Sequence, residues 1–162
     1  MHAEMPSKET IVLELLARPG HWNCGIAEAA IPLMPRTEMW PGGHRLRIVD
    51  CQSGSISLFT DGDELHHDPS NPDSLLPEPD EDEIILMRYA DHYSLIRRDQ
   101  KDVVINVPSD GDCFFSCLSL AFGAKVDSLA ESNAVLRQSL VRLLKAEPDL
   151  MAFMAPDQPL PP

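Results

Sequence analysis

No run of apolar residues in this chain approaches the roughly 20 that a helix needs to cross a bilayer, so no membrane span is expected. Basic residues are scarce: 13 Lys and Arg stand against 26 Asp and Glu, a formal net charge of −13. Phosphate backbones are bound by basic faces, so this balance argues against nucleic acid as the main partner. Met1-His2-Ala3-Glu4 lacks the charged-then-apolar pattern of a secretory signal. Cysteines number only four and are read as reduced thiols in a cytosol-like compartment, not as a disulfide framework. There is no internal repeat. What remains is a chain of 162 residues with an ordinary apolar fraction, long enough to bury the core of one domain. Prolines cluster in a mid-chain stretch and in residues 156–162, which read as a disordered Pro-rich tail.

The negative charge is local. Ten acidic residues and no Lys or Arg lie between Asp61 and Glu83. This stretch reads as a solvated loop, or as an acidic rim that speeds the approach of a basic partner. Before it, Ser7 can cap a first helix whose apolar stripe is Ile11, Val12, Leu15 and Leu16, ended by Pro19-Gly20. Asn23 can cap a second, short helix from Gly25 towards Pro35. Arg45 to Val49 reads as a strand, with Ile56 to Phe59 as its hairpin partner. After the acidic stretch come three apolar strands: Ile84 to Tyr89, His92 to Ile96 across an Ala90-Asp91 turn, and Val103 to Val107. Pro108-Ser109-Asp110-Gly111-Asp112 is rich in turn formers. From Cys113 the spacing of Phe114, Cys117, Leu118 and Ala121 becomes helical, with Gly123 as a stop. A last helix from Ser132 to Ala146 has Leu136, Leu140, Leu143 and Leu144 as its core face. The expected class is α+β, a small central sheet flanked by helices.

A strand, a turn-rich loop and then a cysteine at a helix start carries chemical meaning. The helix dipole and the unpaired first-turn amides favour a thiolate at Cys113. Those amides, with the Asp110-Gly111-Asp112 loop, can point at a developing oxyanion. Free cysteines are also often no more than small buried hydrophobes, and the residues alone leave both readings of Cys113 open. Cys117, one turn further in, reads as packing. A thiol nucleophile needs a base within reach. Of six histidines, His2 is terminal, His66 and His67 lie in the acidic stretch, and His21 and His44 flank turns. His92 stands apart at the start of a strand, where alternation groups it with Ser94 and Ile96, opposite Tyr93 and Leu95. It fits a base, but on the residues alone the preferred reading is a satisfied strand-edge histidine. A zinc site from Cys113-x3-Cys117 with His66-His67 is not favoured, because that spacing falls inside a helix and no second pair follows.

Asp110-Gly111-Asp112-Cys113-Phe114-Phe115 resembles the nucleophile motif of the ovarian-tumour (OTU) cysteine proteases, Asp-Gly-(Asn/Asp)-Cys-(aromatic or Leu)-(Phe/Tyr). Leu136-Arg137-Gln138 and Glu147-Pro148-Asp149-x3-Phe153 resemble the helix that follows the nucleophile helix there. His92-Tyr93 resembles that family's His-aromatic strand. Pro19-Gly20-His21-Trp22-Asn23 is similar to its Trp-containing turn, with Asn23 and Cys24 where glycines are common. Together these features cover residues 10–155. Their order is altered: the nucleophile motif comes early in that family and the His-aromatic strand last, whereas here His92 precedes Cys113. The resemblance therefore implies a circular permutant, with residues 97–101 joining the usual ends. The alternative is the tail of one domain joined to the head of another. A single copy of each element favours permutation, since domain termini often lie close together.

The resemblance implies a papain-like, OTU-like core in a single permuted catalytic domain, 1–155. It also implies Cys113 as nucleophile, His92 as base and Asp110, Gly111 and Asp112 as the oxyanion loop. Ser94 stands where many members carry an Asp or Asn that orients the histidine; a hydroxyl can accept the ring N–H but brings no charge. Asp91, Asp110 or a distant acid are alternatives for that third position. The implied activity is thiol-dependent deubiquitination, hydrolysing the ubiquitin C-terminal bond by a monomer that needs no metal or organic cofactor. Its partner is ubiquitin or a ubiquitin-like protein, with no membrane or nucleic acid involved. The implied site of action is the cytosol, and a compact permuted form fits a bacterial or viral effector in host cytosol. Two alternatives share the fold: a non-catalytic module binding a ubiquitin-like protein, and a thiol acyltransferase.

Overall fold

The architecture is that of a computed structural model that describes residues 7–20, 29–98, 103–108 and 111–153. The helix α1 spans Lys8–Ala17, and the Ser7 side chain accepts the Thr10 amide at 3.2 Å, as its place before the apolar stripe predicts. Val12 and Leu16 bury the inner face of α1. Residues 21–28, including most of the Trp-containing turn and the start of the expected second helix, lie outside the described residues. Beyond them the chain forms a 3-10 helix, Ile31–Arg36. Pro32 and Pro35 each lack an amide hydrogen, so an α-helical ladder cannot run through this segment.

Among the described residues the strands are β1 (Leu46–Asp50), β2 (Ile56–Phe59), β3 (Glu64–His67), β4 (Ile84–Tyr89), β5 (His92–Arg97) and β6 (Val103–Asn106). They form one mixed sheet in the order β3-β2-β1-β4-β5-β6. Only β1 and β4 run parallel, and the other neighbours are antiparallel. Among the described residues two further α-helices, α2 (Cys113–Ala121) and α3 (Leu129–Ala146), follow the strands, and a 3-10 helix spans Pro148–Phe153; the fold is α+β. The helix α3 begins at Leu129, earlier than the Ser132 start expected, after a 3-10 turn at Val126–Ser128. Buried residues from Val12 to Leu150 form a single cluster, with Phe114, Phe115, Cys117 and Leu118 at its centre. Segments on both sides of residue 97 thus share one core. No helix among the described residues is long and apolar enough to cross a membrane.

One expectation is corrected. The acidic stretch is not all solvated loop, because it contains β3. Glu64-Leu65-His66-His67 has no apolar alternation, since it lies at the sheet edge with its side chains largely exposed; ladder bonds to β2 hold it instead. His66 adds polar contacts to Ser57 at 2.9 Å and Glu64 at 2.7 Å. At the far end of the stretch the Glu83 side chain is fully buried between Arg45 (2.8 Å) and Arg47 (2.6 Å). Arg47 also donates to the Pro77 carbonyl at 2.6 Å, so both charges are satisfied where they leave water. The apolar strand expected after β5 is present as β6, and it forms the other sheet edge, with Val103 and Val104 about half exposed. Apolar runs read alike at an edge and in the middle.

Candidate active site

The β4–β5 hairpin places one half of the site. Its tight turn needs Ala90 in the left-handed region (φ 53°), and the Ala90 amide is held by Gln52 Oε1 at 3.1 Å. Asp91 follows, exposed, and then His92, half-buried at the start of β5 opposite Tyr89. The helix α2 places the other half. Tyr93 and Phe114 meet edge to face with centroids 5.3 Å apart, and Phe114 packs in turn on Phe115 at 5.5 Å. This packing sets the first turn of α2 against the hairpin. Cys113 Sγ lies 3.7 Å from the Asp91 carbonyl oxygen, within reach of a weak S–H donation. The thiol therefore sits beside the turn from which His92 leaves. Cys113 is only 3% exposed.

The other two cysteines described are easily distinguished. Cys51 is exposed on the β1–β2 turn. Cys117 is fully buried, and burial, reinforced by neighbouring Cys113, pushes its thiol up to about 12. A group that holds its proton so firmly packs the core and does not attack carbonyls.

Ser94 is buried, and its hydroxyl donates to Asn106 Oδ1 at 2.9 Å, across the directly paired positions of β5 and β6. A hydroxyl has one proton and two lone pairs, so this bond leaves Ser94 acceptor capacity on the face it shares with His92. The sequence carries no sign of the Asn106 contact, because it depends on the register of two strands.

In the loop before Cys113, Ser109 and Asp110 lie outside the described residues. Gly111 adopts φ +82°, and a Cβ there would overlap the Gly20 carbonyl, so no other residue fits. Asp112 does not cap α2 with its side chain. Its Oδ1 instead accepts the Gly20 amide at 3.0 Å and both Nε (3.1 Å) and Nη2 of Arg137. The carboxylate of Asp112 is thus a structural fastening, and any contribution of this residue to an oxyanion hole falls to its backbone amide. Arg137 is completely buried on the core face of α3. A charged residue flanked by Leu136 on the face of Leu140 and Leu144 is the signal that marks it as a buried structural cation.

No protein-family model matches the chain, and no curated protein matches it. Among solved structures, an OTU deubiquitinase from Escherichia albertii, determined bound to ubiquitin, is similar with a TM-score of 0.52. The match covers 94% of this chain and 82% of that one at 14% sequence identity. The fold is OTU-like. Within the OTU-like fold of this chain, Cys113 heads a core helix, and the hairpin carrying His92 lies against that helix start.

Proposed function

We propose that this chain is a thiol-dependent deubiquitinase with Cys113 as nucleophile, His92 as base and circularly permuted connectivity. The observation that carries the reading is the position of Cys113 on an OTU-like fold, 3.7 Å from the Asp91 carbonyl beside the start of the His92 strand. Permutation is supported by the antiparallel pairing of β5 with β6, the strands that flank the proposed join. In the resting site the Asp91 carbonyl holds the thiol proton. For reaction that proton passes to His92, and the thiolate attacks the carbonyl carbon at the ubiquitin C-terminus. Backbone amides of the loop ending at Cys113, favoured by the positive end of α2, receive the oxyanion. The imidazolium then protonates the leaving amine, and a water activated by His92 releases the acyl group. The chain acts in this way as a monomer in the cytosol, without a cofactor.

Ubiquitin carrying a C-terminal electrophile tests this directly. Covalent capture at Cys113, read by intact mass and peptide mapping, is the expected result. One observation favours a second reading, a non-catalytic ubiquitin-binding module: Cys113 is almost wholly buried. Tight non-covalent binding of ubiquitin with no adduct would establish the module and refute the enzyme.

Ser94 is proposed as the third position, accepting the His92 ring N–H. A neutral acceptor stabilises imidazolium less than a carboxylate, because charge-assisted hydrogen bonds are roughly twice as strong. Ser94→Ala should therefore lower kcat about tenfold to a hundredfold, about 1.4 to 2.7 kcal/mol. Ser94→Asp should retain activity, since the Asn106 amide can turn to donate to the new carboxylate. A fully active Ser94→Ala enzyme would move the third position elsewhere.

A further inference from the structure

We propose that Arg137 is a positioning residue for the oxyanion-binding loop, acting through Gly111 and Asp112; the inference rests on the deubiquitinase reading. Its guanidinium is fully buried and, among the described residues, joins the end of α1 to the Gly111-Asp112 loop. Nη1 donates to the Leu16 carbonyl at the end of α1 at 2.8 Å. Nε and Nη2 converge on Asp112 Oδ1, and Nη2 makes a long 3.5 Å contact with the Gly111 carbonyl. The plane lies over the Phe115 ring, 4.5 Å from its centroid, in the first turn of the nucleophile helix. The Gly20 amide completes the assembly by donating to the same Asp112 oxygen at 3.0 Å.

This clamp fixes a direction as well as a position. In a trans peptide the N–H points opposite to the C=O. With the Gly111 carbonyl turned towards buried Arg137, the Asp112 N–H is directed away from the guanidinium. That amide immediately precedes Cys113 and belongs to the set available to an oxyanion. Gly111 cannot relax from this arrangement freely, since its α-carbon lies against the Gly20 backbone. An ordinary buried ion pair would need only the carboxylate. Here a planar fork also binds two carbonyls and stacks on Phe115, a combination that an ammonium cannot reproduce. The first helix thereby becomes part of the catalytic framework although it contributes no reacting group.

The test separates loop geometry from thiol reactivity. Turnover needs an oxyanion hole, whereas alkylation by iodoacetamide is a displacement that needs only the thiolate. Wild type, Arg137→Lys, Arg137→Met and the surface control Arg142→Ala are compared, Arg142 pairing with exposed Glu38 and lying on the same helix as Arg137. Each is assayed for kcat and KM on ubiquitin with a fluorogenic C-terminal amide, and for the rate of Cys113 alkylation. Both Arg137 variants should lose about 100-fold in kcat, the size of a lost oxyanion donor. Their KM and alkylation rate should stay within about threefold of wild type, with Arg142→Ala unchanged throughout. Wild-type kcat in Arg137→Lys overturns the proposal, and so does a parallel fall in kcat and alkylation, which marks general damage. If neither Arg137 variant folds, Asp112→Asn keeps the shape without the charge; an unchanged kcat there overturns the proposal, and a selective fall in kcat upholds it. A wild-type protein that neither turns over substrate nor is captured by the electrophilic ubiquitin removes the deubiquitinase reading first, and the proposal with it.

Discussion

Cys113→Ala is expected to abolish ubiquitin cleavage and capture by an electrophilic ubiquitin, a loss on the order of 10⁴-fold or more, while the protein still folds. The thiol lies at the rim of the core at 3% exposure, so deleting one sulfur should lower stability by only about 1 kcal/mol. Cys117→Ala is the matched control. It removes the same atom from a fully buried site one turn along α2, with a similar stability loss of about 1 kcal/mol. Its chemistry should stay near normal, because a thiol raised to about 12 supplies almost no thiolate at neutral pH. Chemical denaturation and kcat measured on both variants decide the matter. Equal activity loss in two folded variants would show that the nucleophile is wrongly assigned.

The elements that were legible in the sequence are those whose burial leaves a period. The β1–β2 hairpin and the pair β4 and β5 show as apolar runs broken by turn formers. The helix α2 shows as apolar residues at helical spacing from Cys113. Ser7 announces its helix because a hydroxyl before an apolar stripe has a local partner, the Thr10 amide. The features that stayed hidden depend on neighbours far along the chain. Strand β3 buries almost nothing, so its sequence carries no pattern to read. The exposure of Val103 and Val104 results from β6 being last in the sheet, which is a property of strand order. The contacts of Ser94 with Asn106 and of Arg137 with Leu16 are set by register and helix packing. The same division runs through the site. Cys113 stood out as a helix-start cysteine after a glycine-containing loop, but the Asp91 carbonyl beside it is a tertiary fact.

Gly111→Ala should lower stability by about 3 to 4 kcal/mol, because two penalties coincide. At φ +82° an L-residue is held in the left-handed region, worth about 1 to 2 kcal/mol. The new Cβ would also occupy the space of the Gly20 carbonyl, which is backbone and cannot swing aside as a side chain could. Relief requires Gly20 to move, and that motion breaks its 3.0 Å bond to Asp112 and disturbs the end of α1 that Arg137 grips. Gly123 provides the comparison, since it has φ +96° with nothing within 4 Å of a built Cβ. Gly123→Ala should therefore show the conformational penalty alone, about 1 to 2 kcal/mol. Urea unfolding of both variants isolates the contribution of the close approach as their difference. Activity should follow the same order, nearly intact in Gly123→Ala and lost in Gly111→Ala, because only the second displaces the loop that leads into Cys113. Equal destabilisation of the two would mean that the Gly111 and Gly20 backbones are not pressed together, and that the loop before Cys113 is held by its side chains alone.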